Sequence, residues 1–367
     1  MTNQPLKKLP LESFHQQAEA KFCSFAGWSM PISYPLGILK EHLHVRQHAG
    51  LFDISHMKLI LVEGNNVTNF LDYSLPLNSE QLSINHSQYN FLLNEQAGII
   101  DDLIITRLAE QKYIIAVNAG NAYKDLEILK LRNSNYNCNI TMLDYVFLAL
   151  QGPESAAVCN DLGLTFVNDL LFMQACETNN GWFVSRSGYT GEDGFEFALP
   201  LTEAEKLVND LLKDTRVQWI GLGARDSLRL EAGLCLHGND ITENITPLEA
   251  NLMWAIPPIV REKAAFIGAS ALNEQLKTGS EYKRVGLKVL GKQPLRSGVK
   301  LFSTDGNEVG YITSGSFGPS VNYPIAMGYV KNEYKTIDTE LTASVRGKNY
   351  NLIIKKLPFS PQRYHKG

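Results

Sequence analysis

The sequence predicts an α+β protein closed by a separate all-β module. Three observations lead there. Up to about residue 278, apolar residues at helical spacing are interleaved with short β-rich runs. From about residue 282, Val285, Leu287 and Val289 alternate, and short strands follow between Gly, Pro and Asn turns, as in a sandwich or barrel. Within the first region lies Gly188–Leu199, GYTGEDGFEFAL, whose glycines Gly188, Gly191 and Gly194 recur every third residue. Such spacing suits a tight turn that needs positive φ or close backbone approach. The expected division is therefore 1–278 and 282–367.

Taken in order, residues 13–34 mix Phe14, Phe22, Phe25, Trp28 and Tyr34 with Gly27 and Pro31, and read as irregular or extended chain. Leu36, Leu39 and Leu43 predict a helix stopped by Gly50. His56 follows in a turn and reads as a hydrogen-bonded histidine, since no second His or Cys stands at metal spacing. Asn65 or Asn66 is expected to cap a helix carrying Val67, Phe70 and Leu71. Tyr89–Leu93 is a strand, and Ala97-Gly98 turns the chain into the β-branched run Ile99–Thr106, interrupted by Asp101 and Asp102. On a strand the two carboxylates face opposite ways, so one pocket receives at most one of them. Exposure at the strand's start is an equal alternative.

Lys112–Asn118 and Tyr145–Leu150 are strands, each followed by a helix. In Phe195–Leu199, Glu196 points away from Phe195 and Phe197. A lone strand glutamate is more often a solvated residue than a ligand partner; the glycine turn before it reverses that weighting. Thr202–Glu205 reads as a capping box for a helix burying Leu207, Val208 and Leu211. Leu222–Ala232 reads as a helix ended by Gly233, with Arg225 and Arg229 on one face and Asp226 able to pair with Arg229. Solvated arginines are the ordinary case, but Arg225 lies in the first turns, where a bidentate donor can meet a carboxylate.

Composition excludes several classes. The formal net charge is −4, giving no global basic field for nucleic acid. Five scattered cysteines without a CxxC pair argue against a disulfide framework or zinc site and for a reducing compartment. The N-terminal residues read as neither a secretory nor a transit signal, so the expected location is cytoplasmic. Val309–Val330 carries no charge, yet Gly310, Gly315, Pro319 and Pro324 break it into strands and turns, so no membrane span is expected. Lys283–Lys300 holds six basic and no acidic residues, a candidate positive strip.

Nine segments in order resemble the T-protein family of the glycine cleavage system, the tetrahydrofolate-dependent aminomethyltransferases. They are GLFDISHM (50–57), NEQAGIIDDLI (94–104), VNAG (117–120), LALQGP (148–153), GYTGEDGFE (188–196), ARDSLRLEAGLCLHGNDI (224–241), RVGL (284–287), AMGYV (326–330) and the LPF…P…Y ending (357–364). The resemblance implies a three-domain folate-binding aminomethyltransferase fold around a folate channel, with a C-terminal β-barrel. It implies lipoylated H-protein as partner, tetrahydrofolate as co-substrate, and no metal. By its motifs Asp102 aligns with the catalytic aspartate. Glu196, Arg225, Tyr364, Tyr89, Asn118, Tyr189 and Met57 align with folate-binding positions, Arg225 and Tyr364 towards the polar tail.

One departure is Ala97, where the family usually has a first glycine. A positive φ there costs an alanine about 1 kcal/mol. H-proteins of this family tend to be acidic, so the 283–300 strip is an expected docking surface. Two rivals share the fold. The folate-binding halves of dimethylglycine and sarcosine dehydrogenases accompany a GxGxxG flavin domain, and no such fingerprint occurs here. A non-enzymatic folate-binding relative tolerates loss of Glu196, Arg225 or the tyrosines, all of which are present.

Overall fold

In the computed structural model, which describes residues 5–367, the strand-forming stretches gather into four sheets. A six-stranded sheet runs in the order Ala175–Glu177, Phe183–Ser185, Gly194–Leu199, Val146–Gln151, Ala49–Asp53 and Val217–Trp219. A five-stranded antiparallel sheet runs His86–Leu93, Ile99–Ala109, Lys112–Val117, Lys58–Glu63 and Asn139–Leu143. A three-stranded sheet lies near the N-terminus, and the strands from Tyr282 to Lys355 close into a six-stranded barrel. The mixed architecture and the terminal barrel are those the sequence predicts.

Strand alternation builds the layers. Phe195, Phe197 and Leu199 enter a core with Ala204, Leu207, Val208 and Leu211 of the helix Leu201–Leu211. The opposite face of the same sheet presents Phe52, Phe147, Ala149 and Ala198, which pack with Leu59 and Ile114 of the five-stranded sheet. The outer face of that second sheet is covered by the helices Val67–Ser74 and Ala122–Arg132. Glu196 therefore points, with Ala198, between the two sheets.

Several local expectations change. Residues 13–34 are ordered: a short helix, Glu12–Gln17, precedes the antiparallel pair Lys21–Phe25 and Trp28–Ser33. The helix Ile38–Gln47 exists, but Leu39 is 52% exposed and the inner face is Glu41, His42, Val45 and Arg46. Pairing makes that polar face possible: Glu41 accepts the backbone N–H groups of Tyr34 (2.7 Å) and Gly221 (2.8 Å). Gly50 lies inside a strand, where a Cβ would overlap Val45 and Ile220 side chains, so close packing and not helix termination requires it. The capping box at Thr202 does not form, because Pro200 takes the N-cap position and the helix begins at Leu201. Asn66 is an N-cap, but its side chain makes no capping bond. Val309–Val330 forms barrel strands, and no helix among the described residues is long and apolar enough to cross a membrane.

The helix Leu222–Glu231 ties the barrel to the sheets. Arg229, 2% exposed, donates to Asp240 Oδ2 (2.7 Å) and to Ser314 Oγ of the barrel (2.9 Å). Asp240 also accepts from Ser314 Oγ (2.9 Å) and from Thr313, and its carbonyl accepts from Tyr329 (2.7 Å). Replacing Asp240 by Ala strands a buried guanidinium and should cost about 3–5 kcal/mol in the unfolding free energy. Asp226→Ala removes the half-exposed partner of Arg229 and should cost at most about 1 kcal/mol. Chemical denaturation of both variants checks the contrast, and equal losses would contradict it.

Candidate active site

A turn positions the paired aspartates. Asn94 Oδ1 accepts the N–H of Gly98 (2.8 Å), while Asn94 N–H bonds the Gly98 carbonyl (3.0 Å). Ala97 takes φ +64°, the left-handed conformation that the missing glycine raised as a question. At Gly98 a Cβ would overlap the Glu243 carbonyl, so this glycine is needed for close approach. A register shift at Leu92/Leu93 follows as the chain enters the pairing of His86–Leu93 with Ile99–Ala109.

The two carboxylates diverge as alternation requires, and neither lies free on the surface. Asp101 is fully buried and accepts from Asn118 N (3.0 Å), Asn118 Nδ2 (3.0 Å) and Asn121 Nδ2 (2.7 Å). Asp102 is half-buried and accepts from the Tyr89 hydroxyl (2.8 Å) and Asn118 Nδ2 (2.8 Å). One asparagine amide thus reaches both. Burial and the neighbouring Asp101 charge raise the Asp102 carboxyl to about 6, against the pull of its two donors. Trp254, 70% exposed, stacks on the Tyr89 ring (5.6 Å between centroids).

A second cluster comes from the glycine turn and the arginine helix. Gly191 takes φ +80°, and a Cβ on Gly188 or Gly194 would run into Gln151. Ser187, just before the turn, donates to Glu196 Oε2 (2.6 Å). Burial raises the Glu196 carboxyl, while Ser187 and the Arg225 charge oppose the rise. The Arg225 guanidinium lies 4.8 Å from the Tyr189 ring centre and 3.8 Å, through Nη2, from Met57 Sδ. Its Nη1 is buried and has no hydrogen-bond partner. The Tyr189 hydroxyl donates to the Cys235 carbonyl, and Tyr189 is near enough to Asp102 for that charge to raise its phenol. Two clusters, one on each sheet, therefore adjoin through the tyrosines.

Tyr364 has different neighbours: it stacks on Phe172 (3.9 Å, 9°), and the charges acting on it are Arg46 and Glu192. The adjoining Arg363 N–H bonds the Gly191 carbonyl (2.8 Å), which fastens the C-terminal segment to the glycine turn. His56 is not the hydrogen-bonded turn histidine expected. Its Nδ1 is buried without a partner, the ring meets Phe25 edge-on (5.8 Å), and burial lowers the imidazole to about 3, keeping it neutral. The 283–300 basic run does not form one face. Arg284 is buried against backbone carbonyls, Lys283 bonds the Leu248 carbonyl, and Lys300 pairs with Glu308. Among the described residues no cluster of three or more His, Cys, Asp or Glu is arranged for a metal ion.

Two family models match the chain. The GCVT N-terminal domain matches residues 11–258, and the glycine cleavage T-protein C-terminal barrel domain matches 283–360. The chain belongs to the glycine cleavage T-protein family of aminomethyltransferases. The aminomethyltransferase of Staphylococcus saprophyticus is 39% identical, with 97% of this chain and 99% of that protein covered. The human mitochondrial aminomethyltransferase is 38% identical, over 98% of this chain and 91% of its own length. Among solved structures, aminomethyltransferase T of the Bartonella henselae glycine cleavage system is 56% identical with a TM-score of 0.97, covering 98% of this chain and all of its own. The chain is accordingly an enzyme, an aminomethyltransferase, which removes the non-enzymatic rival.

Sequence reasoning missed Ser187, Asn121 and His237, which hold the predicted residues in place. Asn121 Nδ2 meets His237 Nδ1 (2.9 Å), and His237 Nε2 donates to the Ile99 carbonyl (3.1 Å). Two of them flank motifs already noted, Ser187 before GYTG and Asn121 after VNAG, and that adjacency was the available signal.

The turn makes a local prediction. Ala97→Gly relieves about 1 kcal/mol of left-handed strain but loses a buried methyl worth about 0.8 kcal/mol, so stability should stay nearly constant. Gly98→Ala must displace the Glu243 backbone and should lower the denaturation midpoint clearly, together with turnover. A neutral Gly98→Ala would show that the close approach is not a constraint.

Proposed function

We propose that this aminomethyltransferase takes the aminomethyl group from the lipoyl arm of an H-protein and delivers its methylene to tetrahydrofolate. The products are 5,10-methylenetetrahydrofolate, ammonia and the dihydrolipoyl carrier. The observation carrying the reading is a buried guanidinium nitrogen left without a partner near a half-engaged carboxylate. Arg225 Nη1 is buried without a partner, and Glu196 has only Oε2 engaged, by Ser187. A pterin edge presents adjacent N–H donors that one carboxylate accepts in parallel, which suits Glu196. Arg225, with Tyr189 and Met57 against it, offers a cationic donor to the ligand's polar portion, and Tyr364 is assigned to the tail. Tyr89 and Asn118 orient Asp102. Five free cysteines fit a reducing compartment, and we place the enzyme in the cytoplasm.

The chemistry asks for a fixed negative charge. Opening the S–CH2–NH2 centre passes through cationic, iminium-like character, and an ionised carboxylate stabilises it. Tyr89 and Asn118 hold the Asp102 oxygens before that charge develops, so little reorganisation is needed at the moment of reaction. The same carboxylate can accept a proton from a folate nitrogen.

Two measurements test these roles. Asp102→Asn should lower kcat by about 10²-fold or more while tetrahydrofolate affinity changes little. In the parent enzyme the Asp102 charge is present above its raised value of about 6 and lost below it, so kcat should fall as pH drops through that range. An acid limb that persists in Asp102→Asn would assign the titration elsewhere. Glu196→Gln turns an acceptor into a donor against a donor-rich edge. Calorimetric titration should show tetrahydrofolate binding weakened by about 1–3 kcal/mol, and unchanged affinity would remove Glu196 from the pocket.

A further inference from the structure

Behind the aspartate pair lies a third carboxyl group that the reaction above does not use. Asp125 sits in the first turn of the helix Ala122–Arg132, on the face packed against the five-stranded sheet, and is fully buried. Neither of its oxygens meets an N–H or O–H donor. The carboxylate of Asp101, itself fully buried, lies within hydrogen-bonding reach. Two ionised carboxylates cannot share a dry contact, so one of them carries a proton. Asp101 already accepts three N–H bonds, from Asn118 N, Asn118 Nδ2 and Asn121 Nδ2, whereas Asp125 accepts none, so the proton is better placed on Asp125.

We propose that Asp125 is a neutral carboxylic acid whose O–H donates to the Asp101 carboxylate, making Asp125 a positioning residue for Asp102. The line of contacts is continuous. Asp125 fixes Asp101, Asp101 fixes the Asn118 amide, and the same Asn118 Nδ2 holds Asp102 Oδ1 at 2.8 Å. Charge follows the same logic. A proton shared with Asp101 softens the negative field that Asp102 feels from behind, and without it Asp102 is harder to ionise. The other titratable groups facing the pair are Asp102 on the strand, Lys124 on the helix and His237 from the loop beyond. His237 gives its Nε2–H to the Ile99 carbonyl and meets the Asn121 amide through Nδ1, which lies 3.9 Å from Asp101 Oδ1. Burial and the Asp101 charge raise the Asp125 carboxyl to about 10, in keeping with the proton placed on it.

The positioning role rests on the reading of Asp102 as the catalytic carboxylate; the proton on Asp125 does not. Infrared spectra of enzyme carrying 13C-labelled aspartate, at about pH 8 where Asp102 is ionised, should show a protonated-carboxyl band that Asp125→Asn deletes. Absence of that band overturns the proposal whatever Asp102 does. Asp125→Asn keeps an uncharged donor to Asp101 and should hold kcat within about threefold with an unmoved acid limb. Asp125→Leu keeps the volume without a donor. It should lower kcat about tenfold or more and move the acid limb to higher pH, with the tetrahydrofolate KM little changed. A silent Asp125→Leu, or an Asp125→Asn as damaging as Asp125→Leu, would overturn the positioning role.

Discussion

Charge buried on one short helix is the constraint on which the rest of the structure depends. Arg225, Arg229 and Glu231 lie within seven residues of Leu222–Glu231, and all are buried. A guanidinium or carboxylate taken out of water is tolerable only with close partners. Each partner comes from a different part of the chain. Glu231 is bonded by His42 (3.2 Å), Arg46 (3.0 Å) and the Ser320 backbone (2.8 Å), and Arg46 goes on to Glu192 at 2.7 Å. These donors hold Glu231 at about 2, well below the usual range, despite its burial. Arg229 reaches Asp240 and the barrel. The helix is thereby fixed against the helix Ile38–Gln47, the glycine turn and the last module together.

Arg225 is the exception, and the exception is informative. It has the Tyr189 ring and the Met57 sulfur beside it, but no carboxylate at salt-bridge distance among the described residues, and its Nη1 is unpaired. A helix that satisfies Arg229 and Glu231 so completely has positioned Arg225 rigidly while leaving its bonding capacity open. That combination is what a binding site for a polar ligand requires, because the cost of ordering and desolvating the group is met before the ligand arrives. Glu196 is prepared in the same way on the neighbouring strand, with Ser187 fixing one oxygen and leaving the other.

The acidic side of the site shows the converse strategy. Asp101, Asp102 and Asp125 are close enough to repel one another, and the fold answers with donors and a retained proton. Asn118 is central to that answer because its single amide serves both strand aspartates. The result is a carboxylate ionised near neutral pH yet poorly solvated, the condition under which a fixed charge acts most strongly on a developing cation.

Much of this was legible in the sequence because it follows from local rules. Two-residue alternation alone placed Glu196 opposite Phe195 and Phe197, and sent Asp101 and Asp102 to different faces. The glycine spacing of 188–194 announced a crowded turn, and the alternation after Val285 announced the barrel. The motifs carried the family. What the sequence could not determine were the contacts made across tens or hundreds of residues. Leu39 stands exposed while Glu41, His42 and Arg46 are buried, since the helix is oriented by ion pairs to Glu192 and Glu231 and by the Gly221 N–H bond to Glu41, which exist only once those residues are brought to it. The Thr202 capping box yields to Pro200, and the basic run of 283–300 is divided between buried, paired and free side chains, Lys283 and Arg284 being held by carbonyls outside the barrel and Lys300 by Glu308 within it. Periodicity records which residues share a face; the tertiary structure decides what that face meets, because the energy of a buried charge depends on its partners and not on its place in the chain.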